Sequence, residues 1–303
     1  MKKILVTGGA GFIGSSLCKK LTDLNYYVIA LDNLQTGSLE NIQSIKNNFE
    51  FIKGDVNQKT DVEQVFSKFN PDYVYHYAAC VGVARTLSKP MEVLSDIDGI
   101  KNILELATKH KVKRVFYSSS SEVYGEPVDF PQNEEKTPLN SKLTYAVVKN
   151  LGEVMYKAYN KEFGLPYTIF RFFNVYGANQ SKNFVISKFI NQAKNNLDVT
   201  VYGDGLQTRC FIYIADNVDA TVSALDKQES INQTINIGND QEITMLDLAK
   251  LIIELTKSNS KIVQLPALVE GDMTMRKPDI SKMVKILNTG SLISLRDGLN
   301  SII

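Results

Sequence analysis

Histidine and cysteine are scarce in this sequence, and their scarcity argues against several kinds of site. The 303 residues contain only two histidines, His76 and His110, so a histidine-based catalytic triad or metal site has almost nothing to be made from. The three cysteines, Cys18, Cys80 and Cys210, are odd in number, far apart and without a CxxC pair. This spacing argues against a disulfide framework and against a zinc site. We therefore expect no bound metal and a location in the reducing cytoplasm.

The sequence also lacks an excess of charge and a long apolar run. Its 34 basic and 33 acidic residues give a formal net charge of +1, which leaves no basic surface of the kind that binds nucleic acid or anionic lipid. The apolar start MKKILV ends at TGG. No stretch of about 18 apolar residues follows it. We expect no nucleic-acid partner, no targeting segment and no membrane span.

Short β-rich runs alternate with amphipathic stretches through the first 173 residues. Apolar residues at three- and four-residue spacing, as in 62–69 and 100–110, are typical of helices. The alternation predicts an α/β fold with a doubly wound parallel sheet. A looser rhythm afterwards predicts a smaller C-terminal α+β domain of residues 174–207 and 233–303, with 208–232 returning to the first domain. The predicted strands cover 3–7, 27–31, 49–53, 72–77, 113–119, 167–173 and 209–214, and the later helices lie near 183–195, 216–226 and 244–257.

A glycine-rich turn follows the first predicted strand. Gly8, Gly11 and Gly14 have GxxGxxG spacing at a strand-to-helix junction, where a backbone without Cβ atoms can approach a pyrophosphate. Asp32 ends the second strand and is placed to accept hydrogen bonds from an adenosine ribose. Because no arginine stands close by, the pattern predicts NAD rather than NADP. The residues expected at the cofactor also include Phe12, Ile13, Asn33 and, after the third strand, Val56 and Asp55, although an aspartate there can instead cap a helix.

Tyr145 and Lys149 stand four residues apart in the segment YAVVK. On a helix this spacing places both side chains on one face. A lysine ammonium near a phenol favours the phenolate and lowers the pKa of the tyrosine from about 10. The pair therefore predicts a tyrosine that acts as a general base near neutral pH, whereas alone it is also compatible with a surface lysine beside a packed tyrosine.

With the run SSSSEVYG (118–125) after the fifth strand, these features resemble the extended short-chain dehydrogenase/reductase family, in its nucleotide-sugar epimerase and dehydratase branch. The resemblance implies a Rossmann-like fold and a catalytic set of Ser120, Tyr145 and Lys149. Tyr145 would take the proton of the sugar 4-hydroxyl while hydride passes to NAD, Ser120 would share that proton, and Lys149 would hold the nicotinamide ribose. It also implies a homodimer that pairs through a four-helix interface including the helix of Tyr145.

Further segments resemble the family one at a time. In RFFNVYG (171–177), Phe173 matches a residue near the nicotinamide and Asn174 one that contacts the substrate phosphate. The loop expected under the cofactor consists of Tyr77, Ala78 and Ala79.

Two arginines match family positions that hold the nucleotide diphosphate. They are Arg209 in GDGLQTRCFIY and Arg276 in RKPDISK, and two guanidiniums suit that dianion through forked hydrogen bonds. Either arginine could instead be a solvated surface residue. The family's asparagine in its TNVxGT stretch is replaced by Asp96, which adds negative charge near the expected cofactor site.

Glu122 is the residue that bears on the reaction type. If the strand stays extended, Ser118, Ser120 and Glu122 project to the same side, whereas a loop would leave the glutamate solvated. The run SSE (120–122) resembles 4,6-dehydratases and UDP-glucuronate decarboxylases, where chemistry at C5 or C6 follows oxidation at C4. We therefore expect an NAD-dependent nucleotide-sugar enzyme of one of these types, with a nucleotide-sugar 4-epimerase as the alternative and a non-catalytic NAD-binding regulator as a remote one.

Overall fold

A seven-stranded parallel sheet forms the centre of the protein. The computed structural model describes residues 1–81, 86, 88–126, 128–267 and 275–303. The sheet consists of β1 (Lys3–Thr7), β2 (Tyr27–Asp32), β3 (Phe49–Lys53), β4 (Tyr73–His76), β5 (Arg114–Ser120), β6 (Tyr167–Phe172) and β10 (Gln233–Ile237). Its order is β10-β6-β5-β4-β1-β2-β3, and every neighbouring pair is parallel. The chain builds outward from β1 in both directions, so the predicted doubly wound α/β fold is confirmed.

Helices cover both faces of this sheet. Alternate residues of β1 point to opposite faces, so that Leu5 packs in one apolar cluster while Ile4 and Val6 pack in another. Helices α2, α4 and α5 cover the face of Leu5, and α1, α7 and α9 cover the other. The helices are α1 (Phe12–Asp23), α2 (Lys59–Phe69), α3 (Pro90–Leu94), α4 (Asp96–Lys109), α5 (Thr144–Phe163), α6 (Val185–Lys194), α7 (Ile214–Ser223), α8 (Met245–Thr256), α9 (Ser281–Leu287) and α10 (Leu295–Asn300).

Two small sheets lie beside the large one. Strands β7 (Asn174–Tyr176), β9 (Thr208–Tyr213) and β11 (Glu242–Thr244) form the first, and β8 (Val199–Tyr202) pairs with β12 (Ile262–Leu265) in the second. A third apolar cluster holds α6, α8 and α10 against these strands, with Phe189, Leu248 and Leu299 fully or almost fully buried. Tyr213 packs against both this cluster and a cluster on one face of the large sheet, and so joins the two parts of the structure.

The sheet pairing changes the predicted return of the chain to the first domain. The expected return segment was 208–232, but β9 pairs with β7 and β11 in a small sheet. Strand β10, assigned by sequence to the smaller domain, instead pairs with β6 along the edge of the large sheet. The segment that rejoins the large sheet therefore covers α7 to β10, residues 214–237. The division into two domains stays a prediction.

Each strand predicted by sequence is present, with ends that differ by at most one residue. Four short strands outside the large sheet, β7, β8, β11 and β12, were not predicted, and neither was β10. Within the described ranges, none of the helices combines the length and the hydrophobicity that a membrane span requires.

Candidate active site

The carboxyl ends of the parallel strands open into one large cleft. Its volume is about 640 Å³. In doubly wound sheets, ligands bind at this edge because the loops after neighbouring strands separate there. All but one of the site residues predicted from the sequence line it: Gly8, Gly11, Phe12, Ile13, Gly14, Asp32, Asn33, Asp55, Val56, Tyr77, Ala78, Ala79, Ser120, Glu122, Tyr145, Lys149, Phe173, Asn174 and Arg276.

The glycine loop between β1 and α1 packs so closely that side chains would not fit. Gly8 has a φ of +71°, and a Cβ there would lie 2.8 Å from the backbone nitrogen of Ala78. A Cβ on Gly14 would collide with the carbonyl oxygen of Gly8. The backbone N–H of Gly11 donates to that same carbonyl at 3.0 Å, which closes the turn. The first N–H groups of α1 are thereby brought to the cleft wall, where they suit the negative charge of a pyrophosphate.

Asp32 fixes the loop after β2. Its Oδ2 accepts from the backbone N–H of Ala10 at 3.0 Å, and its Oδ1 accepts from that of Leu34 at 2.8 Å. Each carboxylate oxygen keeps a further lone pair for a ribose hydroxyl. Sequence reasoning missed the next residues of this cleft wall, which carry no motif of their own: Gln35, Thr36, Ser38 and Asn41.

Strand β5 ends at Ser120, and the chain then turns into a 3-10 helix, Ser121–Tyr124. The hydroxyl of Ser120 accepts from the backbone N–H of Glu122 at 3.2 Å and caps this turn. Of the two backbone conformations considered for Glu122, the extended one is therefore excluded. The turn nevertheless places Glu122 in the cleft wall, and its role there stays a prediction.

The side chain of Glu122 forms an ion pair with an arginine and is mostly shielded from solvent. Its Oε1 accepts from Nη1 of Arg276 at 2.9 Å, and its side chain is 19% exposed. Its Oε2 is buried and has no hydrogen-bond partner among the described residues. A carboxylate oxygen in this position can accept a hydrogen bond from a ligand in the cleft.

Tyr145 and Lys149 lie on one face of α5, one turn apart. Lys149 Nζ donates to the backbone carbonyl of Ser118 at 2.6 Å and lies 5.8 Å from the centre of the Tyr145 ring. Burial lowers the pKa of Lys149 to about 8, and the carboxylate of Asp96 opposes this shift. The ammonium is thus anchored to β5 and faces the phenol.

The pKa of Tyr145 is shifted in the direction opposite to the one expected. Burial and then the carboxylate of Glu122 raise it, while a hydrogen bond with Ser120 works the other way. Without a cofactor, desolvation of the phenolate outweighs the favourable contacts around it. Tyr145 therefore keeps its proton in the ligand-free protein.

Arg209 is the predicted site residue that does not line the described part of the cleft. It lies on β9, is buried, and its Nη1 donates to the carbonyl of Thr208 at 2.8 Å. Its proposed contact with a diphosphate stays a prediction. Arg276 does line the cleft, but its described partner is Glu122.

The segments after β6 close the other side of the cleft. Phe173 is buried against Tyr124, with ring centres 6.2 Å apart, and Asn174 Nδ2 donates to the carbonyl of Cys210 at 3.3 Å. Asp96, at the start of α4, accepts from the backbone N–H of Cys80 at 2.7 Å and so ties down the loop after β4. The loop after β7 and the start of α6 add wall residues that sequence reasoning did not identify: Asn179, Gln180, Ser181, Phe184, Val185 and Ile186.

Comparison with known proteins agrees with this geometry. Residues 4–238 match the model of the NAD dependent epimerase/dehydratase family, and the chain belongs to that family. It is 37% identical over 317 residues to a UDP-N-acetyl-alpha-D-glucosaminuronate decarboxylase of Bacillus cytotoxicus, covering 100% of this chain and 97% of the relative. It is 37% identical over 311 residues to UDP-glucuronic acid decarboxylase 1 of Danio rerio, covering 100% of this chain and 72% of that one.

A solved structure gives the same picture. UDP-glucuronic acid 4-epimerase from Bacillus cereus, in complex with UDP-glucuronic acid and NAD, superposes with a TM-score of 0.90 at 33% identity, covering 98% of this chain and 96% of the epimerase. The expectation of an NAD-dependent nucleotide-sugar enzyme of this family is confirmed.

Proposed function

We propose that the protein is an NAD-dependent decarboxylase of a UDP-linked hexuronate. The observation that carries this proposal is the contact between Glu122 and Arg276 in the same cleft as Ser120, Tyr145 and Lys149. A guanidinium placed there suits a substrate carboxylate, which a neutral sugar does not offer. Relatives that decarboxylate UDP-glucuronic acid and UDP-N-acetyl-glucosaminuronate support the same substrate class.

The residues that line the cleft support a binding site for NAD. We propose that the glycine loop and the start of α1 bind the pyrophosphate, that Asp32 binds the adenosine ribose, and that Lys149 binds the nicotinamide ribose. When bound, NAD accepts a hydride from sugar C4 and later returns it. The other residues proposed to contact it are Phe12, Ile13, Asn33, Asp55, Val56, Tyr77, Ala78, Ala79 and Phe173, all in the cleft wall.

Tyr145 and Ser120 carry the proton of the 4-hydroxyl in this proposal. Loss of hydride from C4 together with the hydroxyl proton leaves a 4-ketone, and the proton passes to Tyr145 with Ser120 sharing the hydrogen bond. The raised pKa of Tyr145 in the ligand-free protein means that it becomes a base only when positive charge is added beside it. The positive nicotinamide ring of bound NAD would add that charge, beside the ammonium of Lys149 that is already in place.

Glu122 and Arg276 act on the other side of the sugar ring. The 4-ketone is β to the C6 carboxylate, so the C5–C6 bond can break with its electron pair moving into the ketone while CO2 leaves. Arg276 positions the C6 carboxylate of the substrate. The adjacent Glu122 weakens the binding of this carboxylate to Arg276, so that the group is not held too tightly to leave as CO2. A proton from solvent water then takes the place of the lost carboxyl group at C5, and the hydride and the Tyr145 proton return to C4 and its oxygen.

Mass spectrometry of reaction products tests the proposal. The purified protein is incubated with NAD and with UDP-glucuronate, UDP-N-acetyl-glucosaminuronate or UDP-glucose. We expect a product lighter by one CO2 from a uronate, loss of this product in Glu122→Gln, and no turnover in Tyr145→Phe. Glu135→Gln, at an exposed glutamate paired with Lys282, is the matched control. Loss of water instead would identify a dehydratase, and an unchanged rate in Glu122→Gln would exclude a role for Glu122.

A 4-epimerase is the second candidate. It is favoured by the structural match to a UDP-glucuronic acid 4-epimerase, whose substrate also carries a carboxylate. An epimerase would use the same Tyr145 chemistry but return the hydride to the opposite face of a rotated sugar. A product of unchanged mass with a new chromatographic position would establish it.

We also propose a homodimer that pairs through α4 and α5. Along α5, Val147, Leu151 and Val154 are 49%, 39% and 55% exposed and form one apolar row at three- and four-residue spacing. A second copy of this helix pair would cover the row in a four-helix interface. Light scattering at micromolar concentration should give twice the mass of the chain, and Leu151→Asp should give the single mass.

A cytoplasmic location remains part of the proposal. All three cysteines are free and buried, and burial raises the pKa of Cys210 to about 12. Free thiols of this kind are compatible with a reducing compartment. Fractionation of cells that express the chain from its own promoter would test this.

A further inference from the structure

Asn236 lies between the two segments of the chain that carry Glu122 and Arg276. It is on β10, at the edge of the large sheet, and is fully buried. Its side-chain amide offers one acceptor oxygen and two donor hydrogens. The oxygen and the N–H groups all form hydrogen bonds. The oxygen bonds to the segment of Glu122, and the N–H groups bond to the segments around Gln132 and Asp279.

The amide oxygen holds the turn of Glu122. Asn236 Oδ1 accepts from the hydroxyl of Tyr124 at 2.8 Å, and Tyr124 is the last residue of the 3-10 helix that contains Glu122. The same hydroxyl accepts from Nη1 of Arg171 at 2.9 Å. Arg171 is itself fixed by Glu153 through hydrogen bonds of 2.8 and 2.7 Å. The position of the turn is therefore set by buried, charge-assisted contacts.

The amide nitrogen holds the segment that follows Arg276. Asn236 Nδ2 donates to the carbonyl of Gln132 at 2.9 Å and to that of Asp279 at 3.2 Å. The backbone N–H of Gln132 in turn donates to the carbonyl of Lys277 at 2.8 Å, and the carbonyl of Gln132 accepts from the backbone N–H of Asp279 at 2.8 Å. The backbone directly after Arg276 is thus fixed to the same amide.

We infer that Asn236 is a positioning residue for the proposed decarboxylation, holding Glu122 and Arg276 at the separation that the reaction at C5 needs. The inference rests on the proposed function. Neither Asn236 nor Tyr124 lines the cleft, so they act through the pair rather than on the sugar. Oxidation at C4, which uses Ser120, Tyr145 and Lys149, should not depend on them.

Tyr124→Phe removes one hydroxyl and tests the Glu122 side. In a single turnover with NAD and UDP-glucuronate, we expect the rate of CO2 release to fall about tenfold or more. Formation of reduced nicotinamide, followed by its absorbance, should change by less than about twofold, so that the reduced form accumulates. Tyr156→Phe is the matched control, because Tyr156 is a buried tyrosine whose hydroxyl has no hydrogen-bond partner among the described residues.

Asn236→Leu and Asn236→Asp test the amide itself. Leucine removes both contacts, whereas aspartate keeps an acceptor for Tyr124 and loses the donors toward Gln132 and Asp279. In the Asn236→Leu background, adding Tyr124→Phe should slow CO2 release by much less than it does in the wild type. If the double variant instead lost CO2 release by the product of the two single fold-changes, Tyr124 would not act through Asn236.

Crystal structures of the wild type and of Tyr124→Phe distinguish failure of the proposed decarboxylation from failure of the positioning role of Asn236. If the wild type releases no CO2 from any uronate, the proposed function fails, and the positioning role is then decided by the distance between Glu122 Oε1 and Arg276 Nη1. We expect that distance to open in Tyr124→Phe and stay near 2.9 Å in Tyr156→Phe. An unchanged distance, or equal CO2 release in the two variants, would overturn the inference.

Discussion

Glu122 and Arg276 are 154 residues apart in the sequence, and their side chains meet at 2.9 Å in the wall of the cleft. The arginine is almost completely buried and the glutamate mostly so. Burying two charges is costly unless they are paired, so the contact constrains where both side chains can lie. It sets one acidic and one basic side chain next to each other in the wall of the cleft.

Replacing Arg276 by glutamine should affect charged and neutral substrates differently. The value of kcat/KM for a UDP-hexuronate should fall about a hundredfold or more, because the substrate carboxylate loses its guanidinium and Glu122 is left unpaired. Binding of UDP-glucose, measured by calorimetry, should weaken much less. Arg296→Gln, which breaks an exposed pair with Glu254, is the control and should change neither. Equal losses for both substrates would instead indicate a contact to the shared diphosphate.

Asp32 should make the protein select NAD over NADP. Its carboxylate already accepts two backbone N–H groups and would repel the negatively charged 2′-phosphate of NADP. We expect NAD to bind about a hundredfold more tightly than NADP, and Asp32→Asn to reduce that ratio about tenfold. Asp23→Asn, at an exposed aspartate at the end of α1, should leave the ratio unchanged in the same titrations.

Asp96 should set the pH range of catalysis. Its charge raises the pKa values of both Lys149 and Tyr145, so Asp96→Asn should lower both. Activity requires a charged lysine and a deprotonated tyrosine, so both limbs of the profile should move toward acid. The amide oxygen of asparagine can still accept from the N–H of Cys80, which preserves the loop. A profile that does not move, or that moves toward base, would show that Asp96 does not act through its charge, and Asp98→Asn on the exposed face of α4 is the control.

His76 should make the fold sensitive to acid. Burial, and then the charge of Lys149, lower its pKa from 6.5 to about 3 in the folded protein. The unfolded chain therefore binds one more proton between these values, and stability should fall as the pH drops through that interval. The slope is about 1.4 kcal/mol of unfolding free energy per pH unit for one proton. In urea unfolding, the free energy of unfolding of His76→Asn should depend less steeply on pH than that of the wild type. His110 is partly exposed, and His110→Asn should show the same pH dependence as the wild type.

Much of the cofactor side of the cleft could be predicted from sequence because its signals are local. Gly8, Gly14 and Asp32 stand at fixed offsets from strands whose apolar pattern is strong, and Tyr145 and Lys149 are one helical turn apart. Strand alternation failed at Glu122 because the Ser120 hydroxyl captures its N–H and turns the chain. A serine at the end of a strand can accept a hydrogen bond from the backbone N–H two residues later and so start a turn. Ser120 is such a serine, and this pattern could have predicted the turn at Glu122.

The substrate side could not be predicted in the same way. The contact of Arg276 with Glu122 depends on backbone pairing between residues 132 and 277–279, which no periodicity encodes. The placement of Arg209 on β9, away from the described cleft wall, depends on the pairing of three short strands. The raised pKa of Tyr145 depends on how completely α5 and its neighbours exclude water.

The two sides of the cleft are built from separate parts of the chain, and this has an evolutionary consequence. Most residues proposed to bind NAD lie in the loops after β1 to β4, whereas the residues expected to decide the fate of the oxidised sugar come from the turn after β5 and from a segment near the C-terminus. A lineage could exchange Glu122 and Arg276 together without disturbing the hydride chemistry. One ancestral oxidising centre could in this way give rise to enzymes that invert, dehydrate or shorten a sugar.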